Sequence, residues 1–210
     1  MPLLKHGAAA TPEAPAAPVR GKDNLLAALR TGATEVERRE AALDLAAMPE
    51  TADALGAALA AEPAARVREA IITALLGIGT PAAAAVLAGV LGSEDTALRN
   101  DAIEALRELG PAAMAPTERL LDSPVADIRM FAVSVLSGLR HPQAAILLRR
   151  VLERDPEINV GLAAVEVLVE VGGPESLPAL RAFAARFPDE PFVRMAVDLA
   201  CRRAAASGPP

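Results

Sequence analysis

The chain has no tryptophan and no tyrosine, and its four phenylalanines make aromatics only 2% of 210 residues. A core built on large rings is excluded, and a site that grips a flat conjugated ligand between aromatic faces is disfavoured. Cysteine occurs once, at Cys201, which forbids an internal disulfide and suits a reducing cytoplasm. Histidine occurs twice, at His6 and His141, with no His-Glu pair. A metal centre has little to be built from, and no cofactor is expected. No apolar run reaches the ~18 residues that cross a bilayer, and the opening MPLLKHGAAATPEAPAAPVRG has no apolar stretch of signal-peptide length. Basic residues are outnumbered 21 to 27, a formal net charge of −6. A nucleic-acid partner asks for the opposite, a basic stripe that releases counterions from phosphates. These absences point to a cytoplasmic protein with neither a membrane nor a nucleic-acid partner.

What the chain has is a repeat. Nine residues recur six times, every 30 to 33 positions: Glu37 to Leu45, Val67 to Leu75, Leu98 to Leu106, Ile128 to Leu136, Val160 to Leu168 and Val193 to Cys201. The second position is arginine in five of the six, at Arg38, Arg68, Arg99, Arg129 and Arg194, and glycine in the fifth copy, at Gly161. The apolar positions fall three, four and seven residues apart, one face of a 3.6-residue helix. Units of this length cannot bury that face alone and must stack on their neighbours. The 52% hydrophobic content is dominated by alanine, a strong helix former that lets helices approach closely.

Punctuation shares the period. A second helix is expected after each motif helix, ending in apolar pairs such as Leu55 with Leu59, Leu87 with Leu91, and Leu180 with Phe183. Pro81, Pro111, Pro142 and Pro174 stand where these helices begin, since a first turn has no use for the missing N–H. Gly79, Gly110 and Gly172 precede that joint, where a left-handed C-cap is expected. Glu62, Asp95, Asp122, Asp155 and Asp189 precede motif helices, where a carboxylate caps free N–H groups. Pro116 and Pro178 fall inside second helices and predict a late start or a kink. The gap at Gly161 predicts a local change in stacking. Residues 1–22, rich in alanine and proline, read as a disordered tail. Residues 23–203 read as the array, and 204–210 as a second disordered tail.

The D-x-x-V-R-x-x-A-x-x-x-L type of motif, with G-x-P at the turn between helices, resembles bacterial HEAT-like repeats of the kind found in phycobiliprotein lyases. The resemblance implies an all-α fold, a right-handed α-α superhelix of about five to six helical hairpins, with second helices on the concave side. It implies that the motif arginines are structural, reaching acidic residues or carbonyls in adjoining turns, with Asp95, Asp122 and Asp127 on hand. The group holds scaffolds, chromophore lyases and regulators. HEAT-like deoxyhypusine hydroxylases hold two irons on repeated His-Glu pairs, which this chain lacks.

The other constellations are thin. Ser137 lies four residues before His141, with no acid or oxyanion donor legible nearby. Cys201 occupies an apolar position and reads as a buried, inert thiol. The fourth unit's second helix, PQAAILLRRVLER, groups Arg149, Arg150 and Arg154 around Glu153, after Arg140. Glu118 and Arg119 would flank it on one side, Arg181 and Arg186 on the other. These residues form the expected contact for an acidic segment of a protein or peptide partner. The function expected is a non-enzymatic scaffold. The alternative is an accessory subunit of the chromophore-lyase type that assists cofactor attachment to another protein.

Overall fold

The computed structural model describes residues 21–139 and 141–206. The N-terminal tail with His6, and also Arg140, lie outside them. Among the described residues there are twelve α-helices and no strand. They are α1 (Lys22–Thr31), α2 (Glu35–Asp44), α3 (Ala52–Ala61), α4 (Ala65–Ile78), α5 (Pro81–Val90), α6 (Thr96–Leu109), α7 (Met114–Leu120), α8 (Ala126–Gly138), α9 (Pro142–Arg154), α10 (Ile158–Val171), α11 (Leu177–Arg186) and α12 (Pro191–Ala206). The even-numbered helices carry the repeated motif. Each packs on the even helix before and after it, and the odd helices form the opposing layer. The fold is an all-α solenoid.

The core runs between the two layers. The motif's last leucines, Leu45, Leu75, Leu106 and Leu136, are fully buried. They belong to one buried cluster with Leu55, Leu59, Leu87, Leu148 and Phe183 of the odd helices and with Leu91, which follows α5. Each such leucine contributes about 1.5–3 kcal/mol by leaving water.

Helix ends follow the punctuation with instructive departures. Pro81 and Pro142 are the first residues of α5 and α9, each behind a side-chain cap: Thr80 accepts from Ala83 N–H, and His141 Nδ1 from Gln143 N–H. Pro111 and Pro174 instead lie in 3-10 turns, Gly110–Ala113 and Pro174–Ser176. Helices α7 and α11 therefore start late, which puts Pro116 and Pro178 in their first turns, where no N–H is missed. Gly79 and Gly110 have positive φ, 66° and 55°. Gly172 does not: its φ is −85°, and glycine is needed there because a Cβ would lie 2.5 Å from the Leu168 carbonyl oxygen. At the far end α12 runs on to Ala206 with Ala204 buried, so the ordered array extends past residue 203. At the near end it opens at Lys22.

The two layers are spaced differently. Helices α2 and α4, and α8 and α10, pack closely, whereas α1 stands off from α3 and α7 from α9.

Candidate functional site

The motif arginines are spent inside the array. Arg38 forks onto Glu62 at 2.8 and 3.0 Å, and Arg129 onto Asp155 at 2.7 and 2.9 Å. Arg68 reaches Asp95 at 3.2 Å. In each case the acid stands just ahead of the next motif helix, so one unit is fastened to the following one. A second bond recurs: Arg38, Arg99, Arg129 and Arg194 each donate to the carbonyl six residues earlier, those of Gly32, Ser93, Ser123 and Pro188. In these four units the loop that enters the motif helix is pinned by that helix's own arginine. Charge-assisted and bidentate, these are the strong class of hydrogen bond. The Arg38 fork, helped by the Ala64 N–H, holds the Glu62 carboxyl below its usual range, and the paired carboxylates raise Arg38 and Arg129.

The fastening acids are Glu62, Asp95 and Asp155. Asp122 faces Arg150 instead, at 3.9 Å, and Asp127 makes no ion pair among the described residues. Arg99 forms no ion pair among the described residues and lies over the Phe131 ring, 5.2 Å from its centre, with Nε unpartnered. The third unit is thus joined to the fourth by another residue, Arg107 of α6. Its guanidinium donates to the Ser134 carbonyl at 2.7 and 3.1 Å and to the Ser137 hydroxyl at 2.9 Å. Gly138 makes room for its stem, since a Cβ there would meet Arg107 Cγ at 2.5 Å.

The fifth unit replaces its missing arginine in two steps. A Cβ on Gly161 would lie 2.2 Å from Cε2 of Phe183, so the phenyl ring occupies the space that an arginine stem fills elsewhere. Phe183 is fully buried and meets Phe187 edge-on at 5.2 Å. Arg186 then donates to the Asp155 carbonyl, six residues before Gly161, and to that of Leu152 at 2.7 Å. The guanidinium that the motif lost is supplied from α11.

Of the residues expected to receive an acidic partner, Glu118, Arg149 and Arg150 form ion pairs within the array. Arg150 bonds Glu118 at 2.9 Å across the opening between α7 and α9, and Gln143 reaches the same carboxylate at 3.5 Å. Arg149 faces Glu175 at 3.6 Å. Arg119, Glu153 and Arg154 are exposed on this layer, and Arg154 borders a groove of about 430 Å³ with Asp122, Arg129, Arg150 and Asp155. Arg181 lies against Cys201, which is half-buried and whose thiol is pushed up by burial. Ser137 donates to the Ser134 carbonyl at 2.7 Å while the His141 ring caps α9, so the two are used separately. Among the described residues no group of three or more His, Cys, Asp or Glu is placed to hold a metal ion, and no helix is long and apolar enough to cross a membrane.

The family model for HEAT repeats matches residues 23–107 and 114–201. The chain belongs to the HEAT-repeat family. No curated protein matches it. Among solved structures, human deoxyhypusine hydroxylase in complex with glycerol is similar at 23% identity, with 87% of this chain and 73% of that one covered and a TM-score of 0.47. The complex of CpcE and CpcF of phycocyanin lyase from Nostoc sp. PCC7120 is similar at 19% identity, covering 94% of this chain and 100% of that one, TM-score 0.40. The archaeal HEAT-like repeats protein from Thermococcus onnurineus NA1 is similar at 16% identity, covering 89% and 90%, TM-score 0.42.

Proposed function

We propose that this HEAT array is a non-enzymatic scaffold that holds a protein or peptide partner, in the cytoplasm. One observation carries the reading. The arginines that dominate the motif are consumed by bonds between and within units, so the array is a stiff frame whose outward faces are free for contact. The acidic balance of −6 disfavours nucleic acid as that partner. On the odd-helix layer Arg119, Glu153 and Arg154 remain open to a partner, whereas Arg149, Arg150 and Glu118 are engaged in the bridges described above.

The test is capture of partners by the full chain, tagged, from its native host, read as stoichiometry. A protein recovered at a fixed ratio, and lost on a surface substitution that leaves the circular-dichroism spectrum unchanged, supports the reading. A chain that emerges alone at both low and physiological salt overturns it.

A further inference from the structure

Helix α12 exposes three large apolar side chains, Phe192 by 61%, Met195 by 59% and Leu199 by 52%. Spaced three, four and seven residues apart, they share one side of the helix. Met195 is the third residue of its motif. Leu162 and Met130 hold the same position on α10 and α8, half-buried, and these three helices are neighbours in the motif layer. In the first three units that position is Arg39, Glu69 and Asn100. The motif layer thus changes character along its length, polar at the start and lined with methionine and leucine at the end.

The charge beside this band is predominantly acidic, with Arg202 the exposed basic residue on the same side of α12, three residues past Leu199. Glu166 and Glu170, one helical turn apart, border the groove of about 330 Å³ between α8 and α10, whose floor includes Met130, Val133 and Val167. Helix α10 has no basic residue at all. Asp127, Glu166, Glu170 and Glu190 have no ion-pair partner among the described residues. The nearby Arg194 is committed to the Pro188 carbonyl.

We propose that the α8–α10–α12 face docks a cationic amphipathic helix of a partner protein. Its apolar side would lie on the Met130, Leu162 and Met195 row with Phe192 and Leu199, and its lysines or arginines on Glu166 and Glu170. Three helices at about 8–10 Å spacing span about 20 Å, the length of about 13 helical residues. Unbranched methionine suits a surface that must fit a helix it did not fold with, and burying the apolar side while pairing the rim is the helix-in-groove mode. A second copy of the chain is disfavoured, because two such faces would bring the same carboxylates together. The inference rests on the scaffold reading and adds the surface and the chemistry of the partner.

The test uses the full chain and a labelled 18-residue leucine-lysine amphipathic peptide, with a leucine-glutamate counterpart as control, followed by fluorescence anisotropy. Glu166→Gln with Glu170→Gln, and separately Met195→Ser with Leu199→Ser, should each weaken the lysine peptide about tenfold, the scale of losing one charged or apolar anchor. Neutralising Asp101, Glu104 and Glu108, which border the α4–α6 groove without such a row, should change it less than about twofold. Equal losses at both grooves, or equal binding of the glutamate peptide, would overturn the proposal. So would a concentration-dependent dimer that dissociates on Met195→Ser with Leu199→Ser. Capture of a host partner that ignores all these variants leaves the scaffold standing and removes this surface. Specific peptide binding with no captured partner does the reverse.

Discussion

Gly161 offers the sharpest test of how one repeat compensates for a lost residue. In an ordinary helix, Gly→Ala gains about 0.8–1.0 kcal/mol. At Gly161 the new Cβ would lie 2.2 Å from Phe183 Cε2 and 2.4 Å from Cζ, where ordinary contact begins at 3.4 Å. The ring, fully buried and braced by Phe187, must retreat by at least 1.2 Å, or α10 and α11 must part. Overpacking of this kind costs about 1–3 kcal/mol, so Gly161→Ala should destabilise by about 1 kcal/mol net. At about 2–4 °C per kcal/mol for a chain of this size, the melting midpoint should fall by a few degrees. Phe183→Ala alone should cost about 3–5 kcal/mol. In that background the obstruction is gone, and Gly161→Ala should turn stabilising by about 0.8–1.0 kcal/mol. The coupling between the two sites is then about 2 kcal/mol, read from urea unfolding of the four proteins by circular dichroism. Gly89, exposed and with no atom near its missing Cβ, is the control, where alanine should stabilise by about 0.5–1 kcal/mol. If Gly161→Ala stabilises the intact protein as much as it does the Phe183→Ala variant, the ring does not fill that space.

Other perturbations follow from the same contacts. The Glu62 carboxyl titrates below its ordinary value of 4.5 because Arg38 bonds its charged form. A lowered folded value gives stability that is fully present above about pH 4.5 and lost as pH falls through the folded value. The stability gap between the native chain and Glu62→Gln should therefore close as pH falls from about 4.5 through the lowered folded value, in urea titrations at stepped pH. Thr34 and Glu37 form a reciprocal capping box at the start of α2, and Thr34→Ala should cost about 1 kcal/mol by the same assay. Leu106 is fully buried, and Leu106→Ala should cost about 2–5 kcal/mol in thermal melts.

The repeat period was legible because it is written in residue type: arginine at the second position, leucine at the ninth, proline where second helices begin. The late starts of α7 and α11 were legible from Pro116 and Pro178, since local sterics decide them. Contacts across layers were not. That Arg186 replaces the arginine absent at Gly161 depends on α11 folding back over α10, and no spacing within one helix signals it. The glycines at 138 and 161 were the available clue, each opposite a large side chain of another helix. The pairing of Arg149 and Arg150 was not legible because their acids, Glu175 and Glu118, lie in other units.

Arg38, Arg68 and Arg129 each fasten their unit to the next, so that the frame holds itself and does not spend them on a partner. The double-mutant cycle at Arg129 and Asp155, the most buried of these pairs, tests it most directly. Removing either partner should cost about 3–5 kcal/mol because the other is left charged in a dry site. The double variant should cost far less than the sum, giving a coupling of about 1–3 kcal/mol. Additive single effects, with coupling below about 0.5 kcal/mol, would contradict the account.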